Sequence, residues 1–92
     1  MTAKAYNLLK SLKPRIIKYN QKSSDPDDPN ARVIIDFACL KKHEKDLEEF
    51  IKTCNESTDI DTAEIIGSSV TSIFFKVESD YFFSDNVIKD IL

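Results

Sequence analysis

Residues 31–54, ARVIIDFACLKKHEKDLEEFIKTC, carry two periodicities at once, and the fold turns on which one governs. Val33, Phe37, Leu40, Leu47, Ile51 and Cys54 recur at about 3.5 residues, the spacing of one helical face, broken where Glu44 takes an apolar place. That pattern predicts one long helix over Ala31–Cys54, bent near Lys41–Lys45. The opening Val33-Ile34-Ile35 run supports an alternative, because β-branched side chains favour extended backbone. Arg32–Leu40 is then a buried strand, followed by a helix over Lys42–Cys54. Leu47, Phe50, Ile51 and Cys54 stand at i, i+3, i+4 and i+7, so the second half is helical under either reading.

Upstream, Arg15–Asn20 (RIIKYN) has the β-branched and aromatic content of a short strand, with Ile17 and Tyr19 on one face. Gln21–Asn30 is a polar turn with two prolines, and Asp28 before Pro29 is a good helix start. Asp25, Asp27 and Asp28 lack the glycine pivot and the bidentate acid of a calcium loop. In residues 1–12, Ala5, Leu8, Leu9 and Leu12 mark a short amphipathic helix that Pro14 ends. Downstream, Ile60–Ile66 and Val70–Val77 (VTSIFFKV) form a hairpin turning at Gly67-Ser68-Ser69. Tyr81-Phe82-Phe83 can add a short third strand, and Ser84 caps a final helix with Val87, Ile88, Ile91 and Leu92 on one side.

The expected architecture is therefore a single α+β domain over residues 1–92. Its elements are a short N-terminal helix, one strand, a long helix, a β-meander of two or three strands and a C-terminal helix. Residues 1–12 form an amphipathic basic segment and 13–92 the α/β core. A long helix returning the chain beside the first strand gives a thioredoxin-like arrangement without the redox site.

Composition bounds the function. The longest apolar run falls far short of the roughly 18 residues a membrane-spanning helix needs. The single glycine, Gly67, leaves no Gly-rich phosphate loop. Cys39 and Cys54 belong to no CxxC pair and read as reduced, buried thiols, and His43 completes no zinc spacing with them. Glu48 and Glu49 are adjacent on a helix and do not converge, so neither catalytic nor metal-ligating residues are expected, and no cofactor. The mixed-sign KKHEKDLEE run reads as a solvated helix face rather than a catalytic role for His43 or Glu44.

Charge is the positive clue. The net charge of −3 is divided unevenly: residues 1–24 hold six of the thirteen basic residues and none of the sixteen acids. A segment of +6 thus faces a remainder of −9, which suggests one face for a polyanion and another turned elsewhere. The Phe and Tyr cluster near residues 74–83 reads as core rather than a base-stacking platform, since Lys76 is the lone cation around it.

Two resemblances enter here. Arg15-Ile16-Ile17-Lys18-Tyr19-Asn20, Asn30-Ala31-Arg32, Ser72-Ile73-Phe74-Phe75-Lys76-Val77 and Asp80-Tyr81-Phe82 together resemble the small thioredoxin-like proteins of the mitochondrial large ribosomal subunit, of the type numbered fifty-three. The polar Gln21–Asp28 insertion and the acidic balance depart from that pattern. Ile35-Asp36-Phe37, Leu47-Glu48-Glu49-Phe50 and Val77-Glu78-Ser79 to Phe83-Ser84 are similar to eukaryotic cytosolic large-subunit protein twenty-two, a similarity that requires the strand reading of Arg32–Leu40.

The resulting expectation is a non-catalytic structural subunit of a ribosome, the mitochondrial large subunit first, with a cytoplasmic location as the alternative. Its partners are rRNA and neighbouring ribosomal proteins, with no membrane and no small-molecule substrate. Lys10, Lys13, Arg15, Lys18, Lys22 and Arg32 are the expected RNA contacts. The rival expectation is a small acidic module or inhibitor that engages a basic protein.

Overall fold

The computed structural model describes residues 1–21, 25, 27–28, 31–56 and 61–91. Its elements run α1 (Ala3–Ser11), β1 (Arg15–Gln21), β2 (Arg32–Leu40), a 3-10 turn at Lys41–His43, α2 (Glu44–Glu56), β3 (Thr62–Ser68), β4 (Ser72–Asp80) and α3 (Tyr81–Ile91). They form a small compact α+β domain, with three helices against one four-stranded sheet of order β1-β2-β4-β3.

The long helix over Ala31–Cys54 is not formed; its first half is strand β2. Val33, Ile35, Phe37 and Cys39 are all buried, which is the period of two, not 3.5, while Leu40 of the helical set is 50% exposed. β2 lies at the centre of the sheet, hydrogen-bonded to β1 and β4, and on its helix-free face Ile34 and Asp36 are half-buried and Ala38 buried. The break in the helical spacing at Glu44 is the boundary itself: α2 begins there, with Glu44 and Asp46 in its positively polarised first turn. Leu47, Phe50 and Cys54 are its buried face, as the spacing predicts, and Ile51 packs at the rim.

With β2 a strand, β1 and β2 pair antiparallel, and every other pairing in the sheet is antiparallel as well. The thioredoxin-like return of a long helix beside the first strand is therefore replaced by a β1–β2 hairpin. The second hairpin is present, but Gly67 and Ser68 belong to β3 and the turn sits at Ser69–Ser72, where Ser69 N–H donates to the Ser72 carbonyl at 2.8 Å. A third strand over Tyr81–Phe83 is not formed either. Asp80 Oδ1 accepts the Phe83 N–H at 2.7 Å, an N-cap that starts α3 three residues before Ser84, which is buried inside the helix. The expected Asp28-Pro29 helix start is overturned with the long helix; Pro29 itself, Lys22, Ile60 and Leu92 lie outside the described residues.

All three helices pack on one face of the sheet. Ala5, Leu9 and Leu12 of α1, the α2 set, and Phe83 and Val87 of α3 join Val33, Ile35, Phe37, Phe75 and Val77 in one core. Phe75 is its centre, stacked on Phe37 at 5.2 Å and edge-on to Phe50 at 6.0 Å. Thr2 caps α1 through its hydroxyl, which accepts the Ala5 N–H. The exposed edge β3 is partly satisfied by Asn55, whose side chain both donates to the Ala63 carbonyl and accepts its N–H. The buried Asp61 accepts the Ser79 hydroxyl at 2.5 Å and meets the Met1 ammonium at 2.8 Å. Cys39 and Cys54 are free and buried, on β2 and α2.

Candidate nucleic-acid interface

The register sorts the expected contact residues into three places. Arg15 pairs with Ala38, Leu40 with Ser72 and Ser68 with Ile73, so the start of β1, the end of β2 and the tip of the β3–β4 hairpin share one end of the sheet. Lys10 in the last turn of α1, Lys13 and Arg15 meet there. Lys18 stands mid-sheet. Arg32 pairs with Asp80 at the opposite end, with its Nε 3.7 Å from Glu78. Lys22 is outside the described residues. The structure thus brings together three of the six and separates Lys18 and Arg32 from them.

Two further cations join that end. Lys41 and Lys42, both exposed, follow Leu40 in the 3-10 turn, which is tied to the hairpin by the Lys41 N–H donating to the Thr71 carbonyl at 3.0 Å. Sequence reasoning assigned them to a solvated helix face. The usable signal was the strand alternative for 32–40, since a strand ending at Leu40 returns Lys41 and Lys42 to the side of Arg15.

At this end the cations are close together and none is in an ion pair, although Asp90 lines one groove with Lys10 and Lys13. Among the described residues, Lys10, Lys13, Arg15, Lys41 and Lys42 make no ion pair, whereas Lys4 pairs with Glu49 at 3.4 Å, Lys76 with Glu64 at 2.8 Å and Arg32 with Glu78. Lys10 instead stacks its ammonium 4.7 Å from the Tyr6 ring, and Asp90 nearby accepts the Tyr6 hydroxyl. Mid-sheet charges are arranged in alternation: Lys18, Asp36, Lys76 and Glu64 are successive cross-strand neighbours on the helix-free face. The hydrogen bond and charge of Glu64, helped by Asp36, raise the Lys76 pKa. Such a row neutralises itself.

Local backbone fixes the cationic end. α1 closes at Leu12, and Lys13 adopts φ 48°, the left-handed conformation favoured by glycine at a helix C-terminus, before the buried Pro14 turns the chain into β1. From there Lys13 borders two grooves. One, of about 290 Å³, is lined by Lys13, Arg15, Ala38, Cys39, Leu40 and Ser72. The other runs between α1 and α3 past Lys10, Pro14, Asp90 and Ile91. Burial raises the Cys39 pKa beneath the first groove, keeping the thiol protonated.

Among the described residues no group of three His, Cys, Asp or Glu side chains is placed to hold a metal ion, and no helix is long and apolar enough to cross a membrane. No family model, curated protein or solved structure matches the chain.

Proposed function

We propose that this protein is a non-catalytic, RNA-contacting subunit of a large ribosomal subunit, and that Lys10, Lys13 and Arg15, with Lys41 and Lys42, are its phosphate contacts. The observation that carries the reading is the gathering of five exposed cations without ion-pair partners among the described residues at one end of the domain, where strand register brings residues 10–15 and 41–42 together. Like charges held together without counter-charges cost free energy in the isolated chain, and a polyanion that releases its counterions to bind them supplies the return.

Of the two resemblances, that to eukaryotic large-subunit protein twenty-two is favoured, because the strand it needs at 32–40 is formed. The mitochondrial, thioredoxin-like reading rested on a long helix following β1. The amphipathic basic segment of residues 1–12 forms α1, with Ala5 and Leu9 built into the core together with Leu12. A cytoplasmic ribosome is accordingly the proposed setting. The acidic-module alternative is less supported, since Glu49, Asp61, Glu64, Glu78, Asp80 and Asp90 are engaged inside the domain as ion-pair partners, hydrogen-bond acceptors or a helix cap.

Sedimentation of the tagged protein through sucrose gradients at low and high salt tests this. Co-migration with a large subunit, lost when Lys10, Lys13 and Arg15 are all replaced by alanine in a folded variant, is the expected result. Migration as a free small protein, or with a single protein partner and no rRNA, overturns it.

A further inference from the structure

We infer that the groove between Arg15 and Leu40 on the helix-free face takes one unpaired, extruded nucleotide of the bound RNA. This rests on the RNA-contact reading and adds the kind of RNA element recognised.

The row of cross-strand neighbours that starts in the groove is Arg15, Ala38, Phe74 and Gly67, of which Arg15 and Ala38 line it. Unlike the adjacent Lys18, Asp36, Lys76 and Glu64 row, it contains one cation and no acid. Beyond the groove Phe74 lies beside Gly67, where a Cβ would stand 3.9 Å from Phe74 Cδ2. Ala38, buried, is the covered floor between Arg15 and Leu40. Leu40, half exposed, forms the far wall with Ser72.

The concavity is about 290 Å³, near the lower limit of small-ligand clefts, roughly 300–1,000 Å³. An A-form duplex is convex and offers no group to enter it, whereas a splayed-out base can lie flat between an arginine plane and an aliphatic wall. Arg15 supplies the plane and Leu40 the wall. Lys13 and Lys41, which stand on either side of that pair in the chain's course, are placed for the flanking phosphates. Lys13 holds its position at φ 48°, where an L side chain is strained and glycine is not. The strained backbone keeps a cation at the meeting point of both grooves.

Two RNA hairpins of identical length, one a perfect duplex stem and one with a single bulged nucleotide, are compared by fluorescence anisotropy at fixed salt. The protein is expected to bind the bulged hairpin at least tenfold more tightly. Arg15→Lys, which keeps the charge but removes the plane, and Leu40→Ser, which removes the half-exposed aliphatic wall without changing charge, should each reduce that preference severalfold or more while leaving the salt slope on the perfect stem intact. Equal affinity for the two hairpins overturns the extruded-nucleotide site and leaves the RNA-contact reading standing. A preference that survives Arg15→Lys also overturns the site, even should Leu40→Ser fail to fold. Absence of salt-dependent binding to either hairpin overturns both.

Discussion

The two ends of the sheet treat charge in opposite ways. Where β2 begins, Arg32 lies against Glu78, Asp80 caps α3, and Asp61 is held by Ser79 and the Met1 ammonium. Where β2 ends, Lys13 and Arg15 line a groove with no carboxylate among its lining residues, and the exposed Lys41 and Lys42 follow directly on its Leu40. A single nine-residue strand connects the two, so the difference is one of sequence and register, not of scaffold. The lesson is that the charge asymmetry visible along the chain is not the one that exists in space. Arg32 was counted with the basic contacts and belongs to the paired end; Lys41 and Lys42 come from the acidic remainder and belong to the open end.

The most damaging way to break the comparison is to remove what holds both ends in register. Phe75→Ala deletes the ring between Phe37 and Phe50 and should cost about 3–5 kcal/mol in urea unfolding. RNA binding and the rest of the fold should be lost together. A stable, fully structured variant would show that the sheet does not depend on this centre.

Replacing Lys13, Arg15, Lys41 and Lys42 together by glutamine should weaken RNA binding by about 100-fold at moderate salt. It should also lower the log–log salt slope by about three, at roughly 0.7–0.9 per phosphate contact. Lys4→Gln with Lys76→Gln, at the paired sites, should change the slope by less than about one. Similar effects from the two sets would erase the distinction between paired and unpaired cations.

Lys13→Gly sharpens the comparison because its two effects have opposite signs. Relief of left-handed strain, about 1–2 kcal/mol, exceeds the unfolded-chain entropy that glycine adds, about 0.4–1 kcal/mol. Stability should therefore rise by about 0.5 kcal/mol while RNA affinity falls. A variant that is less stable and binds as well assigns Lys13 an ordinary structural place.

The smallest effect lies at alkaline pH, away from both ends. Burial, then the nearby Asp61 charge, pushes the Cys54 thiol up to about 12, opposed by the terminal ammonium. Burial, then the hydrogen bond and charge of Asp90, likewise raises the Tyr6 hydroxyl to about 12. Each group holds its proton more tightly folded than unfolded. The stability linked to them is thus fully present below about pH 9 and is lost as pH rises toward 12. Cys54→Ala should flatten that decline in urea melts across the window; an unchanged slope removes Cys54 as a contributor.

Local chemistry was legible where one periodicity dominated. The Leu47, Phe50, Ile51 and Cys54 face, the β1 strand and the late hairpin follow from side-chain spacing alone, because an amphipathic helix or strand must turn that spacing toward the core. The sequence also determined the charge inventory, the absence of a glycine phosphate loop, and Lys10, Lys13 and Arg15 as near neighbours along the chain. Tertiary structure alone decided β2. Val33-Ile34-Ile35-Asp36-Phe37 satisfies both a helical and a strand pattern over five residues, and only a central place between β1 and β4, with backbone partners on both edges, selects the extended form. That choice also moved Lys41 and Lys42 beside Arg15, matched Arg32 to Glu78 and set Ala38 next to Phe74. Each is a contact between residues distant in sequence, created by strand register, which no local pattern encodes.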